Sequence, residues 1–150
     1  MSDHRDPLTI PASIFEAMVG HARREAPLEC CGILGGVAPR VSSFHPLRNV
    51  EESPVRFEAN PRDLIDAVLA LRARQADIVA IYHSHPRAEP VPSQTDLARN
   101  YHGDTPQIII SLLRRTPEVR AWRLAPDSFE ELRWRVVADA EIGEAIDLGA

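Results

Sequence analysis

The chain has 150 residues, 44% of them apolar and 26% charged, which suffices for one compact core and not for two comfortable domains. Its formal net charge of -5 and its scattered arginines argue against a nucleic-acid partner, which needs clustered basic side chains. No run approaches the ~18 apolar residues of a membrane span and the polar start MSDHRDPLTIP lacks a leader's apolar stretch, so a soluble, cytoplasmic protein is expected.

Pro11 suits the first turn of a helix over Ala12 to Glu25, whose Ile14, Ala17, Met18 and Ala22 fall on one stripe. His21 lies near that stripe and reads as a packed, hydrogen-bonded side chain. Leu28 to Leu34 reads as a buried strand closed by Gly35 and Gly36. It contains Glu29, a carboxylate that must be paired, solvated or functional. The adjacent Cys30 and Cys31 cannot close a loop and read as free buried thiols.

Arg40 to Leu47 is a second strand, with His45 as a structural or surface residue, and Val55 to Glu58 a third. Asn60-Pro61-Arg62-Asp63 combines a cap, a first-turn proline and an acid at the positive helix end. That helix should run to about Gln75 with an apolar face of Leu64, Ile65, Val68, Leu69 and Leu71. Asp77 to His85 is then a central strand, with Val79, Ile81, His83 and His85 on one side by alternation. Ser93 to Asp96 opens a short helix toward Asn100; Gln107 to Leu113 and Val119 to Leu124 are further strands. Phe129 to Val137 alternates as one strand covering one side of the sheet. The expected organisation is one domain over 1–137 and an acidic tail, or a short terminal helix, over 138–150.

The chemistry concentrates in HSHPRAEPVPSQTD, residues 83–96. Two histidines spaced by two leave an extended strand from the same face. With Asp96 they form an N,N,O set that suits one zinc ion, and three ligands rather than four leave a coordination position open, the catalytic pattern. Taken singly, Ser93-Gln94-Thr95-Asp96 is a plain capping box, and an H-x-H among six histidines is unremarkable. Their conjunction, with Pro86 after the second histidine, points to a metal.

The pattern H-S-H-P-x6-S-x2-D, with an upstream glutamate in L-E-C-C-G, resembles the signature of the JAMM (MPN-plus, Mov34-type) zinc metalloproteases over roughly Ile10 to Val136. The resemblance implies an α/β fold of mixed α+β kind, a mixed sheet flanked by helices with the zinc at one sheet end. It implies hydrolysis of an amide formed by the C-terminus of a ubiquitin-like or sulfur-carrier protein. His83, His85 and Asp96 match the zinc ligands, Glu29 the general acid/base, and Ser93 the side chain that helps stabilise the tetrahedral intermediate. No other cofactor is expected.

The extended tail of such a carrier is the expected partner, and a free strand edge beside the site would let it add to the sheet. The leaving amine, free amino acid or protein lysine, stays open, as does homo-oligomerisation. The alternatives are a non-catalytic scaffold of the same domain type and a DNA-repair-associated relative. A zinc nucleobase deaminase needs H-x-E and P-C-x-x-C, and the chain has neither.

Overall fold

The computed structural model describes residues 6–149. In chain order the elements are β1 (Leu8–Pro11), α1 (Ala12–Glu25), β2 (Cys31–Val37), β3 (Arg40–Leu47), α2 (Pro61–Ala73) and β4 (Asp77–His85). There follow α3 (Gln94–Ala98), β5 (Gln107–Ser111), β6 (Glu118–Leu124), β7 (Phe129–Leu132), β8 (Trp134–Val137) and a 3₁₀ turn, Asp139–Ile142. The strands form one sheet in the order β7-β6-β5-β4-β2-β3-β1-β8. It is mixed: β4 runs parallel to β5 and antiparallel to β2, and β1 runs parallel to both β3 and β8. The α/β architecture read from the sequence is the one observed.

Helices cover both faces. On one, Ile14, Met18 and Ala22 of α1 pack with Leu34, Phe44, Tyr82, Ile108 and Ile110. On the other, Ala67 and Leu71 of α2 pack with Cys31, Ile33 and Leu47. Asn60 caps α2 by accepting the Asp63 N–H at 3.0 Å. Its apolar face is narrower than expected: Ile65 and Leu69 are each 55% exposed, and the helix ends at Ala73.

Tyr82 is the tightest point of the α1 face. A Cβ on Gly32, its partner across the β2–β4 ladder, would lie 2.3 Å from the Tyr82 ring, so only glycine fits beneath it. His21 Nδ1 lies 2.7 Å from the Tyr82 hydroxyl, the packed, bonded histidine that the sequence suggested. Burial first, and Arg24 second, bring its pKa down to about 4. Because the unfolded histidine binds its proton near pH 6.5, stability is fully present above that value and is lost as pH falls toward 4. The shift is worth roughly 2–3 kcal/mol. Urea midpoints at pH 7 and pH 4.5 should show that loss, and His21→Gln should flatten the slope.

Several boundaries differ from the sequence reading. Leu8–Pro11 is a strand, pairing with β8 from Leu8↔Trp134 to Pro11↔Val137. The strand expected over Leu28 to Leu34 starts at Cys31 and runs through Gly35 and Gly36, because Cys30 N–H donates to Ser84 Oγ and Glu29 N–H to Ser53 O instead of a ladder. Val55 to Glu58 is loop; the Glu58 carbonyl accepts the Val50 N–H, and the next residue, Ala59, forms an isolated bridge with Asn49. Val79 does not share a side with Ile81. Leu34 pairs with Ala80 and Gly35 with Ile78, so Val79 is an extra residue that shifts the alternation by one, and it packs on the α1 face.

Phe129 to Val137 is two strands, not one. β7 pairs with β6 at one edge of the sheet and β8 with β1 at the other, and Arg133 alone separates them. The sheet therefore curls until its edges meet, where Leu8 N–H donates to Arg133 O at 3.2 Å. Beyond β8, Ile142 is buried and Asp147 bridges to Ser43, its carbonyl accepting the Phe44 N–H. No helix among the described residues is long and apolar enough to cross a membrane.

Candidate metal centre and active site

The site forms where β4 ends. His83 faces the α2 side of the sheet, and His85 follows on the same face. Pro86 stops the strand, and α3 begins so that Asp96 comes back over both rings. His83 Nε2 and His85 Nε2 are 3.2 Å apart, and Asp96 Oδ2 lies 3.2 Å from the first and 3.1 Å from the second. All three residues are buried. The capping box is present as well: Asp96 N–H donates to Ser93 Oγ at 3.0 Å, and Ser93 N–H to Asp96 Oδ2 at 2.9 Å. The cap and the ligand cluster thus use the same carboxylate, which the cap orients.

This arrangement calls for a cation. His85 Nδ1 donates to the Glu89 carbonyl at 2.7 Å, because a carbonyl only accepts. In the neutral ring Nε2 then carries a bare lone pair, and it faces the carboxylate oxygen of Asp96. Two acceptors at that distance repel unless a positive charge lies between them. Tetrahedral zinc with ligand atoms at 2.0–2.2 Å separates them by about 3.3–3.5 Å, so the cluster fits such an ion with almost no movement. Burial would raise the Asp96 carboxyl, but His83 and His85 overcome it and hold the group well below the carboxylate range. Burial opposes a charged His85, yet Asp96 and the Glu89 carbonyl raise its pKa.

The supports of the two rings differ. The loop after His85 is anchored by carbonyls: Ser111 Oγ donates to Ala88 O and Trp122 Nε1 to Pro90 O. Arg114 grips the Glu89 carboxylate at 2.8 and 3.0 Å. Among the described residues, His83 Nδ1 is buried with no hydrogen-bond partner. Its ring is instead stacked by Phe57, with centroids 4.7 Å apart.

Glu29 precedes β2 by two residues. Cys31 pairs directly with His83, so period-two alternation puts Glu29 on the histidines' face, beyond the ladder and toward His85. It is 3% exposed, and its Oε1 has no hydrogen-bond partner among the described residues. Burial is the main cause that lifts its pKa to about 7, against the lowering effect of His83 and His85. Glu29 also lines a cleft of about 380 Å³ with His21, Leu28, Leu47 and Asn49. A larger cavity of about 640 Å³, lined by Leu8, Pro39, Ile78 and Leu132, holds none of these residues.

The remaining expectations divide. Cys30 and Cys31 are free and buried, and burial pushes the Cys30 thiol up to about 12, which leaves it inert as a nucleophile. His45 sits 2.9 Å from Ser43 Oγ, away from the cluster, as a structural residue. The strand bearing the histidines has no free edge, since β2 and β5 flank it. Asn49, Ser53, Phe57 and Glu89 escaped the sequence reading because they sit in irregular loops; Ser53 and Glu89 contact the site through backbone carbonyls, Asn49 and Phe57 through side chains.

Residues 11–125 match the family described as prokaryotic homologs of the JAB domain. A desampylase of Haloferax volcanii is 33% identical over 132 residues, covering 83% of this chain and 93% of its own length. A CysO-cysteine peptidase of Mycobacterium bovis is 33% identical over 129 residues, covering 83% and 87%. The solution structure of a protein from Desulfitobacterium hafniense superposes with a TM-score of 0.79 at 29% identity, covering 87% of this chain and 92% of that one.

Proposed function

We propose how this chain, which belongs to the family of prokaryotic homologs of the JAB domain, carries out its reaction. It is a hydrolase of the peptidase type. The bond it cleaves is the amide at the C-terminus of a ubiquitin-like or sulfur-carrier protein. In this reading His83, His85 and Asp96 hold one zinc ion, Glu29 is the general acid/base, and Ser93 stabilises the tetrahedral intermediate. The observation that carries it is the buried cluster of three ligand atoms within 3.2 Å of one another, with the His85 Nε2 lone pair and an Asp96 carboxylate oxygen turned on a single point.

Zinc bound there supplies Lewis acidity, polarising the scissile carbonyl and acidifying water. The chain's own groups do the rest. Glu29, with a pKa of about 7, is matched to proton transfer at neutral pH. It takes a proton from water as the oxygen adds to the carbonyl carbon, and gives it to the amine nitrogen as the C–N bond breaks. The products are a free carboxyl and an amine, so no co-reactant is needed. Ser93 Oγ accepts the Asp96 N–H, which leaves its own O–H to donate to the oxyanion. With β4 closed on both sides by β2 and β5, the reacting amide does not add to β4 as a strand.

The substrate reading draws on relatives whose names state a CysO-cysteine peptidase and a TtuB-protein conjugate cleaving protease. The test is a panel of carrier proteins joined at their C-termini to cysteine, to other amino acids and to the lysine of a second protein. Zinc-loaded enzyme should cleave at least one class, with products weighed by mass spectrometry. Failure to cleave any of them removes the substrate class, and purified protein devoid of bound zinc after zinc loading removes the metal assignment.

A further inference from the structure

Glu29 lies outside the β2 ladder, yet its backbone is bonded on both sides, and by one loop. Its N–H donates to Ser53 O at 2.8 Å, and its carbonyl accepts from Asn49 Nδ2 at 3.1 Å. Asn49 Nδ2 also donates to Arg56 O, and Asn49 Oδ1 accepts the N–H groups of Glu51 and Glu58, each at 3.0–3.1 Å. Two carbonyls face its nitrogen and two N–H groups face its oxygen. A flipped amide would set donor against donor and acceptor against acceptor. This one side chain therefore closes the loop on itself and fastens it to Glu29.

The same loop is tied to the metal cluster at two further points. Phe57 stacks on His83. Glu51 pairs at 2.6 Å with Arg99, the residue that ends the helix carrying Asp96. The Glu29 carboxyl itself has an Oε1 without a partner among the described residues, so the main chain has to set where that oxygen sits. We propose that Asn49 is the positioning residue for Glu29: through the Glu29 carbonyl it sets the distance between the proton-carrying carboxyl and the metal cluster. The inference rests on the general acid/base reading of Glu29 given above.

Asn49→Ala deletes all four hydrogen bonds. Asn49→Asp keeps the two accepted from Glu51 and Glu58 and deletes the two donated to Arg56 and Glu29, so it holds the loop while releasing Glu29. Both variants should lose roughly 10- to 100-fold in kcat, as small misplacements of a reacting group do, with KM within about 2-fold of wild type. Zinc affinity should be unchanged in Asn49→Asp, while the melting temperature should fall, because the new carboxylate oxygen faces the Glu29 and Arg56 carbonyls. In a Glu29→Gln background either change should alter the residual rate by less than about 2-fold, because a residue that acts through Glu29 has nothing left to position. Rates are read on the fusion cleaved in the panel above, and if Asn49→Ala does not fold, Asn49→Asp carries the test. Wild-type kcat in Asn49→Asp, with Glu29→Gln inactive, overturns the positioning role alone. An equal loss in both backgrounds overturns it too, by making the role structural. A fully active Glu29→Gln overturns the acid/base reading first, and the positioning role with it.

Discussion

Glu29→Gln should bind one zinc ion with wild-type affinity and lose about 10²–10⁴ in turnover, the usual worth of a positioned general acid/base. The two halves of that result come from different parts of the site. The metal cluster is made of His83, His85 and Asp96, and Glu29 lies beside it without contributing an atom. Glutamine keeps the size and buried position of a side chain that is only 3% exposed, so the cleft retains its shape. What disappears is the capacity to take a proton and return it. Stability should not fall. Burial already penalises the charged carboxyl enough to lift its pKa to about 7, and a neutral amide removes that penalty. Zinc content by elemental analysis, melting temperature and kcat on a cleaved fusion make the comparison. A fully active variant would remove Glu29 from the mechanism, and a zinc-free one would mean that the carboxyl helps to hold the ion.

The parts of the fold that could be read from the sequence are those where one periodicity meets one partner. Ala12–Glu25 and Asp77–His85 are of this kind, because a stripe and a continuous apolar run each imply a single buried environment. Phe129 to Val137 misleads for a physical reason. Alternation continues unbroken through Arg133, while the hydrogen bonds on its two sides go to opposite edges of a curled sheet. Side-chain pattern reports faces, and it carries no information on which edge a strand joins. The one-residue slip at Val79 is hidden in the same way, since a bulge leaves the apolar run Ile78-Val79-Ala80 intact.

The site shows the same division. His83, His85, Ser93 and Asp96 stand in one short segment, where spacing on a strand and a capping pattern decide the geometry. Glu29 comes from the segment that leads into β2, and its identity as a lone acid in an apolar run is the only local sign. Its supports left none. The Glu29 N–H is held by the carbonyl of Ser53, and the His85 ring by the carbonyl of Glu89, groups that every residue possesses. Asn49 is a side chain, but an asparagine in a loop before a helix reads as turn chemistry until its four partners are seen.

Asp96→Asn isolates the anionic ligand while leaving the helix start in place. Asparagine Oδ1 can still accept the Ser93 N–H that Asp96 Oδ2 accepts at 2.9 Å, and the Asp96 N–H bond to Ser93 Oγ does not involve the changed side chain. The cap therefore survives. The metal site does not under the assignment proposed above, because the ion loses its negatively charged ligand and the buried histidines face a neutral amide. Zinc affinity should fall by more than the 10–100-fold that loss of a supporting group costs, read by competition with a chromogenic chelator. Melting curves give an independent readout. Zinc at about 100 times its dissociation constant stabilises the wild-type fold by about 2.7 kcal/mol, so a chelator should lower the wild-type melting temperature, whereas at the same zinc concentration the variant should melt alike with and without it. Activity then disappears together with the zinc-dependent stability, and the two losses share one cause. A variant that holds one zinc at wild-type affinity would show that Asp96 serves the helix alone, and the cluster at the end of β4 would need another ligand.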